Sequence, residues 1–317
     1  MGYKILLPED ITEPGKLYLK ERGYEIIAME DPTEESICQA IKCCSGMVSR
    51  TIKCSRKIMT AGKMLKVIGS HGVGTEKIDL AAATELGIQV TNTPCANTNS
   101  VAEHTLALIL ACAKHLVYLD EETRRGNFAA RNIVKSMELE GKTLGIVGCG
   151  RIGKLVAKKA ALGLGMKVIG EDPYLSDNQW PSYIQRKKTL DDLLREADVV
   201  SIHVPLTKET TNMFNALTLK LMKANSIIVN CGRGGVINEE ELYAALVSYK
   251  IAGAGLDVFM QEPVNRNNPL LSLENVVVSP HNAGLSTQAM DQTGLDAVKG
   301  IDEVLSGKKP TWPVNKI

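Results

Sequence analysis

Three segments of this sequence end an apolar run in residues able to do chemistry. Ile227-Ile-Val-Asn-Cys-Gly-Arg233-Gly-Gly235 carries an arginine on a glycine turn. Ala254-Gly-Leu-Asp257-Val-Phe-Met-Gln-Glu262-Pro263 carries two acids. Val276-Val-Val-Ser-Pro-His281-Asn-Ala-Gly284 carries a histidine. A planar guanidinium binds a carboxylate bidentately and polarises an adjacent carbonyl. An imidazole gives a proton to a carbonyl oxygen, or removes it in reverse. A carboxylate beside that ring orients it and favours imidazolium. Arg233, Glu262 and His281 together suit hydride exchange at C2 of a 2-hydroxy or 2-keto acid. The hydride belongs to a nicotinamide, and the protein supplies orientation and electrostatics. Taken singly, each has a plainer explanation: a charge on a turn, an acid before a proline, a strand-end histidine. Asp257 either caps a loop or bonds the nicotinamide carboxamide.

The required cofactor has its own signal. Thr143 to Val147 reads as a strand, Gly148-Cys-Gly150-Arg-Ile-Gly153 follows, and Lys154 to Leu162 reads as a helix. Gly148 permits a tight turn, Gly150 lets the backbone approach a pyrophosphate, and Gly153 allows close packing of helix on strand. The helix N-terminus offers amides and partial positive charge to phosphates. The glycine pattern alone is weak. Its weight comes from that context and from Asp172, nineteen residues beyond Gly153, at the end of the next strand. A carboxylate there accepts from the adenosine ribose hydroxyls and repels a 2′-phosphate, which favours NAD over NADP. His203-Val204-Pro205 ends another strand on the same edge and reads as a wall for the adenine. His203 lies on an otherwise apolar wall, so His281 is the stronger catalytic candidate.

The elements that must position these groups are legible as an alternation. Strands are expected at Lys4 to Pro8, Tyr24 to Ala28, Met47 to Ser49 and Val67 to Ile68, with helices over Pro14 to Glu21 and Glu34 to Ile41. The pattern restarts at Thr143 to Val147. It continues through Lys167 to Gly170, Val199 to His203, Ile227 to Asn230, Gly253 to Val258 and Val276 to Ser279. Such βαβ alternation implies parallel sheets covered on both faces, here in two α/β units. At the join, Ser100-Val-Ala-Glu103 reads as a capping box opening one long apolar helix to about Leu119, a hinge or dimer element.

Composition narrows the class. The 317 residues are 44% hydrophobic and 23% charged, and 37 Lys and Arg against 36 Asp and Glu leave a formal charge of +1. No basic excess points to nucleic acid or an anionic membrane. No apolar run reaches the ~18 residues of a spanning helix. Met1 to Asp10 reads as a leading strand rather than a secretory segment. The eight cysteines form no Cys-x-x-Cys pair and no Cys/His cluster with zinc spacing, so no metal is expected. Scattered thiols fit a reducing, cytoplasmic location.

With these motifs in place, the sequence resembles the NAD-dependent D-2-hydroxyacid dehydrogenases, most of all their phosphoglycerate dehydrogenase and hydroxypyruvate reductase branch. The carriers are Gly148–Gly153, Asn230–Gly235, Leu256–Pro263, Ser279–Gly284, and the hinge-like Thr93-Pro94 and Ser100–His104. The resemblance implies two doubly wound parallel-sheet domains, a Rossmann cofactor domain (98–285) inserted in a smaller flavodoxin-like substrate domain (1–97 with 286–317). It implies catalytic Arg233, Glu262 and His281. It also implies that Arg151, Ile152, Asp172, Cys231, Asp257 and Gly284 line NAD. The amides of His71-Gly72-Val73-Gly74 would help bind the substrate carboxylate, and Arg50 would face the distal group. Homodimers through the cofactor domain are usual there. Departures are Gly232, where the family has Ala or Ser, and Thr75-Glu76-Lys77, where it has Val-Asp-Asn. No extra C-terminal regulatory domain is expected, nor serine feedback through one. A competing class is a non-catalytic NAD-sensing module of the corepressor type, which resembles this family but usually carries long disordered tails.

Overall fold

A computed structural model describes residues 2–317; Met1, at the head of the segment read as a leading strand, lies outside the described residues. The first elements alternate as β1 (Lys4–Leu7), α1 (Glu13–Glu21), β2 (Glu25–Ala28), α2 (Glu34–Ala40), β3 (Gly46–Ser49), α3 (Arg56–Ala61), β4 (Val67–Ser70), α4 (Leu80–Glu85) and β5 (Gln89–Thr91). Their strands form a parallel sheet in the order β2-β1-β3-β4-β5, in which the chain order runs outward to opposite sides from the β1–β3 pair. The helices start where side chains satisfy their first amides: Thr33 accepts from Ser36, Ser55 from Ile58, and Asp79 from Ala82.

The chain continues through α5 (Thr98–Ala113) and α6 (Leu116–Arg124) into β6 (Thr143–Val147), α7 (Arg151–Leu164), β7 (Lys167–Glu171), β8 (Gln185–Arg186), α8 (Leu190–Glu196), β9 (Val199–Ile202), α9 (Ala216–Leu221), β10 (Ile227–Asn230), α10 (Glu239–Val247), β11 (Gly253–Leu256) and β12 (Val276–Val278). These strands form a seven-stranded parallel sheet, β12-β11-β10-β9-β6-β7-β8, in which the chain order runs outward to opposite sides from the β6–β9 pair. Buried side chains cover both faces. Leu144, Ile146, Val156 and Ala160 lie in one core, and Val147, Val200, Ile228 and Leu256 in the other. Such two-sided burial explains strands that read as continuous apolar runs.

The last helix, α11 (Thr287–Leu305), returns to the first sheet. Ala297, Val298, Ile301 and Leu305 share a core with Ile5, Leu7, Leu19 and Val67. Each of the larger side chains contributes about 1.5–3 kcal/mol by its burial. The chain thus makes two compact units, residues 2–98 with 284–317 and residues 99–283.

Two expectations at the join are corrected. Ser100 is inside α5, not at its N-cap, and its hydroxyl donates to the Ala283 carbonyl at 2.6 Å. Glu103 is exposed and pairs instead with Lys159 at 3.0 Å. The long helix also breaks: His115 adopts φ +48, and α5 and α6 meet at 62°. Among the described residues no single helix is long and apolar enough to cross a membrane. All eight cysteines are free.

Candidate active site

In the second sheet the strand order reverses between β6 and β9, so the loops after these two strands flank the place where open α/β sheets bind ligands. Gly148 turns the chain out of β6 at φ +88, a conformation that L side chains avoid. A Cβ there would also lie 2.9 Å from the His203 carbonyl group. A Cβ on Gly153 would stand 2.2 Å from the Gly148 carbonyl oxygen, so α7 packs against the loop only because that residue is glycine. At Gly150 a Cβ would meet nothing within 4 Å. The space over the start of α7, where Arg151 and Ile152 contribute first-turn amides, is thus open to a pyrophosphate. The loop fits a dinucleotide on this observation.

Asp172 follows β7. Its carboxylate accepts from the Cys149 amide at 2.9 Å and the Tyr174 amide at 3.0 Å, so the acid braces the glycine loop. His203 shares a hydrogen bond of 2.9 Å with the buried Ser201 hydroxyl. Burial pushes its imidazole down to about 4, which leaves it neutral at pH 7. Val204 is half-buried and Pro205 exposed beside it. Cys231, after β10, is buried, and burial pushes its thiol up to about 12.

The acid–base candidates meet directly. His281 Nδ1 lies 2.6 Å from Glu262 Oε2, and Glu262 Oε1 accepts from the Phe259 amide at 3.0 Å. The carboxylate therefore holds the ring through Nδ1 and leaves Nε2 as the nitrogen to face a substrate. The His281 backbone is held in the left-handed region, φ +52. Its amide donates to the Asp257 carbonyl at 2.7 Å. The fully buried Asp257 carboxylate accepts from the amides of Asn282 and Ala283, both at 2.9 Å, and from the Ser279 hydroxyl at 2.6 Å. Asp257 thus caps the turn that carries His281, one of the two roles open to it from sequence. Behind it, His104 Nε2 lies 2.8 Å from Ser279 Oγ. His104 and Ser279 lie inside motifs that the sequence singled out, but no local signal gave them a part in the site.

Arg233 stands on the turn after β10. Asn230 pins that turn, its side chain donating to the Arg233 carbonyl and accepting from the Gly232 amide, each at 2.9 Å. The missing side chain at Gly232 therefore does not leave the turn loose. A Cβ on Gly234 would lie 2.0 Å from the Phe259 carbonyl carbon. The arginine turn is therefore pressed against the segment that leads to Glu262.

The remaining candidates belong to the first unit. Arg50 follows β3, and His71-Gly72-Val73-Gly74 follows β4, with Gly72 at φ +154. Gly284 sits close to Asn97, whose Nδ2 would be 2.8 Å from an added Cβ. Among the described residues no group of three or more His, Cys, Asp or Glu side chains is placed to hold a metal ion.

Residues 106–283 match the model of the D-isomer specific 2-hydroxyacid dehydrogenase NAD-binding domain. The chain belongs to the D-2-hydroxyacid dehydrogenase family. This dehydrogenase-family chain is 40% identical over 314 residues to a D-3-phosphoglycerate dehydrogenase of Methanocaldococcus jannaschii, covering 98% of the chain and 59% of that protein. It is 42% identical to a hydroxypyruvate reductase of Thermotoga maritima over 80% of the chain and 82% of the relative. The structure of the TT0316 protein from Thermus thermophilus superposes with a TM-score of 0.89 at 34% identity, covering 98% of the chain and all of that protein. The family's cofactor is a nicotinamide dinucleotide, and the open glycine loop of the second unit fits one.

Proposed function

We propose that the protein transfers a hydride between NAD and C2 of a small D-2-hydroxy or 2-keto acid, of the phosphoglycerate or hydroxypyruvate and glyoxylate type. The observation that carries this reading is the 2.6 Å contact of His281 with Glu262, on the sheet edge that also holds the glycine loop. When bound, the nicotinamide supplies or takes the hydride at C2. His281 Nε2 gives a proton to the C2 oxygen during reduction and takes it back during oxidation. Glu262 orients the ring and offsets its positive charge. Arg233 binds the substrate carboxylate and polarises the C2 carbonyl. The His71–Gly74 amides take part in holding the carboxylate, and Arg50 receives the distal group. Gly148, Gly150, Arg151, Ile152 and Gly153 hold the pyrophosphate, and His203, Val204 and Pro205 wall the adenine. Cys231 and Gly284 line the rest of the dinucleotide, and Asp257 acts beside it by holding the turn that presents His281. The Asp172 carboxylate receives the ribose hydroxyls and repels a 2′-phosphate, so NAD is the partner chosen.

We read the working form as a cytoplasmic homodimer. Exposed apolar Leu116, Val117, Phe128 and Ile133, on and after α6, are side chains that a second copy would cover. The test of the function is NADH oxidation, followed at 340 nm, with glyoxylate, hydroxypyruvate, phosphohydroxypyruvate and pyruvate. Turnover of at least one is expected; turnover of none sinks the enzymatic reading and favours a dinucleotide-sensing module.

A further inference from the structure

The first sheet has a switch point of its own, between β1 and β3, and the loops after those strands are clasped together. Glu9, two residues past β1, spreads its carboxylate over the turn after β3. One oxygen accepts from the amides of Thr51 at 2.7 Å and Ile52 at 3.0 Å, and the other accepts from the Thr51 hydroxyl at 2.5 Å. Arg50 reaches back, its Nη1 donating to the Asp10 carbonyl at 3.1 Å. Burial works against the charge on Glu9. The hydrogen bonds from Thr51 and Ile52, with the Arg50 guanidinium, more than offset it and hold the carboxyl below its ordinary value. On the adjacent edge the His71 amide donates to the Ser49 carbonyl at 2.7 Å. Burial and the Arg50 charge push its imidazole down to about 4. The ring is neutral at pH 7, and its Nε2 is buried with no hydrogen-bond partner among the described residues. The switch point therefore presents the Arg50 guanidinium, a neutral ring with spare hydrogen-bonding capacity, and a carboxylate engaged by the turn.

We propose that Glu9 is a positioning residue for specificity: by fixing the 50–52 turn it sets the Arg50 guanidinium toward the substituent beyond C2 of the substrate. The site then selects 2-keto acids with a polar or anionic C3 group over those with nothing there. Three hydrogen bonds donated to one carboxylate leave a short turn few alternatives, and Arg50 is the first residue of that turn. The inference rests on the reading of Arg50 as a substrate residue, and its test separates the two.

Glyoxylate carries only a hydrogen on C2 on the side away from its carboxylate and is the internal reference. The measurement is the ratio of kcat/KM for phosphohydroxypyruvate to that for glyoxylate, in the unaltered chain, Glu9→Ala, Glu9→Gln, Arg50→Ala and the Glu9→Ala/Arg50→Ala pair. The ratio is expected to fall on the order of tenfold in Glu9→Ala, the size of losing hydrogen bonds to a charged group, and mainly through KM. Arg50→Ala should lower it at least as far, and the pair no further than Arg50→Ala alone, because both act through one guanidinium. Glu9→Gln keeps one acceptor oxygen and should fall between. An unchanged ratio in Glu9→Ala, an equal loss on both substrates, or losses that multiply in the pair would overturn the positioning role. An unchanged ratio in Arg50→Ala would overturn the substrate reading of Arg50 itself, and the role of Glu9 with it.

Discussion

His281 holds a backbone conformation that non-glycine residues seldom adopt, at φ +52. The bonds around it supply the compensation: Asp257 takes three donors from the 279–283 segment, and Ser279 links that carboxylate to His104. Ser279→Ala removes one donor to a buried carboxylate and loosens the histidine turn. We expect kcat to fall roughly tenfold with the KM for NADH little changed, since the cost falls on proton transfer. Ser279→Thr, which keeps the hydroxyl, should recover most of the rate. A parallel fall in NADH affinity would mean that the network serves the fold rather than the histidine. Arg233, Glu262 and His281 stood out in the sequence because each ends an apolar run with a polar group, a local signal. The part of His104 was not legible, since its partner lies 175 residues away along the chain.

At the scale of elements, the second and third glycines of the loop answer to different constraints and should fail differently when altered. Gly153→Ala forces a Cβ to 2.2 Å from a carbonyl oxygen, so strand and helix must separate. The expected cost is at least about 1–3 kcal/mol, read as a lower melting temperature without ligand. Gly150→Ala meets no protein atom, and its φ of −71 suits alanine. Stability should be nearly unchanged, while NADH affinity, measured by fluorescence titration, should drop at least tenfold if the pyrophosphate comes to that open space. The long, patterned strands were legible: Thr143–Val147 and Ile227–Asn230 run as read. The three residues of β5 and the two of β8 carry too little pattern to be seen. The capping box failed for a physical reason: the helix already begins at Thr98, so Ser100 is not its N-cap, and its hydroxyl donates to the distant Ala283 carbonyl. The break at His115 replaced one long helix by two, a backbone choice that apolar composition does not encode.

For the whole molecule, alternation of short apolar runs with amphipathic helices was enough to specify two parallel α/β sheets, because only two-sided coverage buries such strands. Strand order followed less directly. It depends on crossovers that return to either side of the first strand, and no residue announces that choice. The relation of the chain's last helix to its first strands is likewise a matter of shared burial, with Ile301 and Leu305 in the core of Ile5 and Leu7. The D-3-phosphoglycerate dehydrogenase relative is longer, and the chain spans 59% of it. Whether His281 carries the proton of a reaction whose hydride comes from the nicotinamide is tested most directly by comparing kcat with the NADH dissociation constant in His281→Ala. We predict a loss in kcat of about 10²–10⁴-fold with NADH bound nearly as before. Turnover at the unaltered rate, or a loss of NADH binding in step with the loss of turnover, would contradict it.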